Sequence, residues 1–205
     1  MPDRSSGQRA GHGWCDTKRS LDARLTEMRA LLVITGPRGA GKSTAARFIA
    51  DAAERSVLVE GDAFFGFLAS GAIEPWLPES NEQNEVVTLA AASAAGRFAK
   101  GGFTAIYDGV VRPWFLPTFA AATGLDDLEY VVLLPPVETC VARVRARRNH
   151  GFSDEAATRK MHEEFAAADV PERHVLHQAG EDVITVVDSI TAALERGDLA
   201  YALVR

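Results

Sequence analysis

The feature of the sequence that most restricts its fold is an apolar run that leads straight into a glycine-rich segment. Residues 31–35 read Leu-Leu-Val-Ile-Thr, a pattern typical of a strand buried on both faces of a parallel sheet. The glycine-rich residues 36–43 follow directly, and residues 42–53 are predicted to form a helix. A chain with this order must fold so that a buried strand enters a helix through a tight loop.

The rest of the chain alternates between predicted strands and predicted helices. Further β-rich apolar runs stand at residues 56–59, 103–107, 128–134 and 183–187, and helical patterns stand at residues 80–98, 136–144, 153–167 and 190–194. Ser80 and Gln83 have the spacing of a capping box at the start of the second helix. Five strands that alternate with helices predict an α/β fold of three α/β/α layers with a five-stranded parallel sheet.

Residues 1–27 differ in character from the rest of the chain. Their first 20 residues are polar and glycine-rich, which predicts a poorly ordered leader. Leu21, Leu25 and Met28 have helical spacing, so a short helix packed on the domain is the alternative. Residues 28–205 contain no internal repeat and no linker, and they are predicted to form one domain.

Composition and charge narrow the class of protein. The 205 residues are 47% hydrophobic and 24% charged, so the chain can bury a core without a disulfide or a metal. Cys15 and Cys140 are too few for a disulfide scaffold or a zinc site. The net charge of −6 argues against nucleic acid or an anionic membrane as the main partner. Because the chain has no apolar run of about 18 residues and no signal-like N-terminus, we expect a cytoplasmic protein, with a homodimer left open.

The glycine-rich segment matches the pattern G-x-x-x-x-G-K-[ST] where its mechanism requires it, between a strand and a helix. Glycines let the backbone wrap around phosphate oxygens, and the helix N-terminus points unpaired N–H groups at them. Lys42 can reach the β- and γ-phosphates, and the Ser43 hydroxyl can bind Mg²⁺. We therefore predict ATP and Mg²⁺ as cofactors, with a plain strand-to-helix turn as the alternative. The predicted nucleotide-binding residues are Gly36, Pro37, Arg38, Gly39, Ala40, Gly41, Lys42, Ser43, Thr44 and Arg148.

Two acidic residues stand where predicted strands end. Asp62 follows the second strand and Asp108 ends the third, so both are expected to face the crevice that holds Lys42. A carboxylate beside the γ-phosphate can orient an acceptor hydroxyl and take its proton, or it can hold Mg²⁺. We assign the first role to Asp62 and the second to Asp108, together with Ser43, and the reverse assignment stays open. Either residue can instead be only a helix cap or a turn residue.

A cluster of arginines follows the fourth predicted strand. Arg143 and Arg147 lie one turn apart on one helix face, and Arg145 and Arg148 accompany them. Arginine stabilises the charge on a transferring phosphoryl group, so Arg143 and Arg147 are predicted to be catalytic. Gly151 has the character of a hinge, which predicts a helical lid over the nucleotide. A solvated helix end is the alternative interpretation.

These motifs together resemble the P-loop small-molecule kinases of the nucleoside-monophosphate-kinase-like superfamily, in particular the gluconate-kinase-like and chloramphenicol-phosphotransferase-like families. The resemblance covers residues 30–195 and rests on the loop, on Gly61-Asp62 and on the basic run at residues 145–150. It implies that Asp62 lies beside the acceptor hydroxyl and that Arg147 is a lid arginine. Asp108-Gly109 with Arg112 is similar to the Asp-Gly-x-x-Arg run of nucleotide kinases, which implies that Arg112 touches phosphate.

The segment after Asp62 departs from the gluconate-kinase pattern. Phenylalanines replace the usual histidine, and residues 71–79 are aromatic and acidic, which favours a neutral or cationic acceptor with apolar surface. Trp76 and Trp114 can belong to this site or to the core. The predicted substrate-binding residues are Asp62, Phe65, Asp108 and Arg112.

The leading hypothesis is an ATP- and Mg²⁺-dependent phosphotransferase that acts on a hydroxyl group of a small molecule, such as an antibiotic-like alcohol, a sugar or a sugar acid. A nucleotide, nucleoside or nucleic-acid-end kinase is the second hypothesis, although the acidic charge balance makes nucleic acid a poor partner. A nucleotide-binding regulatory module without acceptor chemistry is the third. No base-reading motif of the GTPase type is visible, which favours ATP over GTP.

Overall fold

The computed structural model describes residues 31–146, 155–177 and 182–203. The predicted leader, residues 1–27, lies outside the described residues. The strands are β1 (Leu31–Thr35), β2 (Ser56–Glu60), β3 (Thr104–Asp108), β4 (Asp127–Leu133), β5 (Val175–Leu176) and β6 (Ala200–Ala202). The helices are α1 (Lys42–Ala52), α2 (Asn81–Lys100), α3 (Leu116–Thr123), α4 (Val137–Ala146), α5 (Glu155–Ala166) and α6 (Val183–Arg196).

The sheet runs in the order β2-β3-β1-β4-β5, and these five strands are parallel. The short strand β6 pairs antiparallel with the amino end of β4. Ile34 aligns with Asp108, and Asp108 aligns with Glu60, so β1, β3 and β2 end level with one another. The carboxyl ends of parallel strands form one edge, which brings the segments after these strands together.

Helices cover both faces of the sheet, which confirms the predicted three-layer α/β/α fold. Alternate residues of β1 point to opposite faces, because side chains alternate along a strand. Leu32 and Ile34 pack on one face with α1, α4 and α6, whereas Leu31 and Val33 pack on the other face with α2, α3 and α5. Strand β1 is buried along its whole length, as the apolar run predicts.

The first four strands agree with the predicted ones within one residue, but the prediction of a fifth strand at residues 183–187 is wrong. These residues form the first turns of α6, and the fifth parallel strand is the short β5. Val183, Val187, Ile190 and Leu194 recur every three or four residues and face the core, which is helical spacing. The Asp182 carboxylate accepts a hydrogen bond from the Thr185 N–H at 3.0 Å and caps the helix.

The predicted capping box at Ser80 is also wrong. The Ser80 hydroxyl donates to the carbonyl oxygens of Leu77 at 2.7 Å and Pro75 at 3.0 Å, and it does not cap α2. The Gln83 amide instead bonds both backbone groups of Ile73, at 2.7 Å each. The two polar side chains therefore secure the loop before α2 rather than the helix end.

Helices α4 and α5 agree within two residues with the helices predicted at residues 136–144 and 153–167, and the residues between them, where the lid hinge is predicted, lie outside the described residues. In the described part of the chain, no helix has the length and apolar character needed to cross a membrane.

Candidate functional site

The glycine-rich loop lies against backbone that leaves no room for side chains. Gly36 and Gly39 have φ angles of 138° and 79°, in the region that favours glycine. A Cβ atom on Gly36 would lie 2.2 Å from the carbonyl oxygen of Leu133, and one on Gly39 would lie 2.3 Å from that of Cys140. The loop is therefore seated directly on the end of β4 and on α4.

Cations bind the carbonyl groups of this loop. Lys42 Nζ donates to the Pro37 carbonyl oxygen at 3.1 Å. Arg143 Nη1 donates to the carbonyl oxygens of Gly39 and Ala40, both at 3.3 Å. The N-cap of α1 is a glycine and has no side-chain cap, so the positive end of the helix dipole faces the cleft. This arrangement can bind an anion such as a phosphate group.

Asp108 ends β3 beside the first turn of α1. Its side chain is buried and lies near the Ser43 hydroxyl. Burial raises the pKa of Asp108, and the nearby Asp62 and Glu60 raise it further, whereas the Ser43 hydroxyl and the Lys42 charge lower it. The carboxylate is thus held between a hydroxyl group, a cation and two other acids.

Asp62 comes from the 3₁₀ turn Gly61–Phe67, directly after β2, and it is exposed. The buried Tyr107 ring lies under both acidic segments. A Cβ on Gly61 would lie 2.5 Å from the Tyr107 hydroxyl oxygen, and one on Gly109 would lie 2.7 Å from the ring. Burial raises the pKa of Tyr107, so the residue stays a neutral support for the two turns.

The loop and the two acids line one cleft of about 730 Å³, which we name the loop cleft. Lys42, Ser43, Thr44, Asp62 and Asp108 line this cleft together. Among the residues that the structure describes, no three His, Cys, Asp or Glu side chains are grouped to hold a metal on their own. The Ser43 hydroxyl and the Asp108 carboxylate are hard oxygen donors, which Mg²⁺ binds together with substrate phosphates, so the cleft fits that ion.

A second cleft of about 600 Å³ adjoins the first, and we name it the tryptophan cleft. Arg38 and Val110 line both clefts, so the two are contiguous. Trp76 and Trp114 are 47% and 60% exposed and line the second cleft. The alternative that these tryptophans belong to the core is therefore wrong.

Arg112 lies in the tryptophan cleft and is bound to α5. Its Nε donates to Glu164 Oε2 at 3.0 Å, and its guanidinium lies 5.6 Å from the centroid of the Trp114 ring. The charge of Arg112 is thus balanced by a glutamate in this structure.

Eight of the predicted site residues line the loop cleft: Arg38, Gly39, Gly41, Lys42, Ser43, Thr44, Asp62 and Asp108. Arg38 also lines the tryptophan cleft, as does Arg112. Gly36, Pro37 and Ala40 of the loop line neither cleft, and neither does Phe65. Arg143 lines neither cleft and binds carbonyl groups of the loop. Arg147 and Arg148 lie outside the described residues, as does the predicted hinge at Gly151.

Sequence reasoning missed the residues that hold the segment between Asp108 and Arg112. The Thr35 hydroxyl accepts from the Val111 N–H at 2.8 Å and donates to the Val111 carbonyl oxygen at 3.2 Å. The Tyr130 hydroxyl donates to the same oxygen at 3.1 Å. A threonine at the end of an otherwise apolar strand is the signal that could have revealed this anchor.

Comparison with known proteins gives one family match and several related folds. The family model described as "AAA domain" matches residues 31–171. A gluconokinase from Sinorhizobium meliloti 1021 has a TM-score of 0.59 at 17% identity, with 83% of this chain and 94% of that chain covered. The tunicamycin resistance protein of Deinococcus radiodurans has a TM-score of 0.60 at 16% identity, with 80% and 94% covered.

A chain of the Pnkp1/Rnl/Hen1 RNA repair complex is similar over a shorter part. Its TM-score is 0.53 at 23% identity, and the match covers 67% of this chain but 44% of that chain. No curated protein matches the sequence. The family match and these folds confirm the predicted resemblance to the P-loop kinase superfamily.

Proposed function

The chain belongs to the AAA domain family, and from this premise we propose that it is an ATP- and Mg²⁺-dependent phosphotransferase that moves the γ-phosphoryl group to a hydroxyl group of a small molecule. The observation that supports this most is the loop cleft, in which a phosphate-binding loop and two carboxylates at strand ends face the same space. A kinase uses a carboxylate beside the phosphates to bind the acceptor hydroxyl, whereas a protein that only binds nucleotide does not require one.

The donor nucleotide binds through the loop. The N-terminus of α1 and the Lys42 ammonium group neutralise the phosphate oxygens. Ser43 and Asp108 would hold Mg²⁺ together with the phosphates, and the ion would neutralise negative charge there. Arg38 lines both clefts, which supports a further contact between its guanidinium and the γ-phosphate.

The different environments of the two acids support the assignment of their roles. Asp108 is buried and lies near the Ser43 hydroxyl, as suits a metal ligand, whereas Asp62 is exposed in the cleft, as suits an acceptor contact. The acceptor oxygen forms a bond to the γ-phosphorus while the bond from that phosphorus to the bridging oxygen of ADP breaks. The hydroxyl proton passes to the Asp62 carboxylate.

The experiment that tests this function separates nucleotide binding from turnover. With ATP, Mg²⁺ and a panel of alcohols, phosphorus NMR or mass shift detects the phosphorylated product. Lys42→Ala is expected to weaken ATP binding and abolish transfer, because the phosphates lose their cation. Asp62→Asn is expected to bind ATP nearly as the unchanged protein does and to lose turnover by about 100-fold or more.

Asp188→Asn is the matched control, because Asp188 is an exposed aspartate on α6 outside both clefts. If Asp62→Asn lost ATP binding and turnover to the same extent, the proposal that Asp62 acts as the base would be wrong. Transfer by Lys42→Ala at the unchanged rate would overturn the proposed function. ATP binding without acceptor-stimulated consumption across the panel would instead favour a nucleotide-binding regulatory module.

A nucleic-acid-end kinase is the second candidate, supported by the fold shared with a chain of the RNA repair complex. The pairing of Arg112 with Glu164 argues against it, because Glu164 balances the charge of a cation that lines the tryptophan cleft. Binding of oligonucleotides with a steep salt dependence would favour this candidate over a small-molecule kinase.

A further inference from the structure

We propose, on the basis of the phosphotransferase function above, that the tryptophan cleft is the acceptor site and that it takes an alcohol with a flat ring and at most one charge. The cleft is about 600 Å³, within the range of sites for small ligands. Trp76 and Trp114 come from different elements and both line it. Exposed tryptophans that share one cleft supply flat apolar walls on which a ring can stack.

The loop that bears Trp76 is held in place by partly buried hydrogen bonds. The Pro75 carbonyl oxygen accepts from Asn84 Nδ2 at 2.8 Å and from the Ser80 hydroxyl at 3.0 Å. Two further bonds between Gln83 and Ile73 secure the start of the loop. The backbone on both sides of Trp76 is thus anchored to α2, and the indole stands at the cleft without a rearrangement of the chain.

Trp114 is held in a comparable way from the other wall. The bonds from Thr35 and Tyr130 to Val111 anchor the segment that leads into the 3₁₀ turn Pro113–Phe115. Arg112 lies over the indole and is paired with Glu164, which ties this wall to α5. Both indoles therefore rest on backbone that is fixed before any ligand binds, which lowers the entropy cost of binding.

The charges of the lining set a limit on the charge of the acceptor. Among the residues that the structure describes, three cations and two carboxylates line the cleft, and Arg112 is paired with Glu164: Arg38, Arg112, Lys160, Glu85 and Glu164. Because these positive and negative charges nearly balance, the cleft does not suit a doubly charged phosphate ester or a nucleic-acid strand, which need several unpaired cations. It suits a neutral acceptor or one with a single charge.

The contact between the two clefts explains how such an acceptor reaches the phosphates. Arg38 and Val110 form the shared wall, so a hydroxyl group that extends past them enters the space lined by Asp62. There its oxygen forms the new bond to the γ-phosphorus as ADP leaves, and its proton passes to the carboxylate. The ring stays between the tryptophans during this step.

The test compares alcohols that differ in ring and charge. Adenosine and 1-phenyl-1,2-ethanediol provide flat rings, sorbitol and gluconate provide none, and adenosine 3′-monophosphate adds two negative charges to the same ring. Binding is followed by calorimetry and by tryptophan fluorescence, and transfer is followed by mass shift with ATP and Mg²⁺. We expect the ring alcohols to bind at least about tenfold more tightly than the open-chain ones and than the monophosphate.

Tryptophan variants test the walls directly. Trp76→Ala and Trp114→Ala are each expected to raise the acceptor KM about tenfold with little change in kcat or in ATP affinity, and Trp76→Phe to restore most of the loss. Phe98→Ala is the control, since Phe98 is an exposed aromatic residue outside both clefts.

Preferential binding or phosphorylation of sorbitol or gluconate would overturn the inference while the proposed phosphotransferase stands. Equal affinity of all the alcohols, or unchanged KM in both alanine variants, would overturn it as well. Ring alcohols that bind through the tryptophans but are never phosphorylated would contradict the proposed function and leave ring recognition supported.

Discussion

At the scale of single residues, the position of Arg143 in the structure indicates a different role from the one that its sequence predicts. Its residue type and place in a basic run predict a contact with the transferring phosphoryl group. In the structure its guanidinium binds the carbonyl oxygens of Gly39 and Ala40. Arginine in that place shapes the loop, so its effect on phosphate passes through the backbone.

Arg143→Met is therefore expected to weaken ATP binding by about tenfold or more, because two charge-assisted hydrogen bonds that hold the loop are lost. The kcat at saturating ATP is expected to change much less. Calorimetry and steady-state kinetics measure the two effects separately. Arg145→Met is the control, since Arg145 pairs with Glu155 at an exposed site. A fall in kcat with unchanged ATP affinity would restore the catalytic role that the sequence predicts.

At the scale of elements, the packing of α2 on α3 depends on one glycine. A Cβ on Gly96 would lie 2.0 Å from the carbonyl oxygen of Thr123, so the two helices meet backbone to backbone. The Thr123 hydroxyl bonds the Ala120 carbonyl oxygen at 2.6 Å and the Leu125 N–H at 3.1 Å, which holds the end of α3 in place. Helices α2 and α3 therefore cannot move apart at this point without breaking the hydrogen bonds at the end of α3.

Gly96→Ala is expected to lower the free energy of unfolding by about 1–3 kcal/mol, in spite of the better helix propensity of alanine, because the clash exceeds that gain. Urea unfolding measures the loss. The control is Gly66→Ala, where a Cβ meets nothing within 4 Å. Equal stability of the two variants would show that α2 and α3 can separate without cost.

At the scale of the whole molecule, the stability of the fold is linked to pH through His174. This buried residue ends the 3₁₀ turn Glu172–His174 directly before β5, and its Nδ1 is 3.0 Å from the carbonyl oxygen of Tyr130 in β4. A carbonyl oxygen can only accept, so Nδ1 bears the proton of the neutral ring. Burial lowers the pKa of His174, the Tyr130 bond opposes this shift, Arg173 lowers the pKa further and Asp198 raises it.

Because the folded state disfavours the charged ring, the unfolded chain binds more protons below about pH 6.5, and stability falls as the pH drops through that value. His174→Asn keeps an N–H donor but cannot titrate. Urea unfolding between pH 7.5 and pH 5.5 is expected to show the unchanged protein losing more stability than the variant. A stability difference between the two proteins that stays constant over this range would contradict the linkage.

The parts of the molecule that follow local rules could be predicted. A run of five apolar residues before a glycine-rich loop identifies β1, the loop and α1, since burial and backbone freedom act over a few residues. Asp62 and Asp108 stand at the ends of predicted strands, and parallel strands end at one edge of a sheet. The sequence therefore predicts that both residues lie beside Lys42, and all three line the loop cleft. The family resemblance rests on these segments and on the basic run at residues 145–150.

Other features depend on residues far apart in the chain. The run at 183–187 has the composition of a strand, yet its spacing matches a helix that packs beside α1, and the two residues of β5 pair only because β4 lies next to them. The tryptophan cleft joins Trp76, Arg112, Trp114, Lys160 and Glu164, which lie far apart in the chain. Such a cleft is set by packing between elements, which no local pattern encodes, so it appears only once the chain has folded.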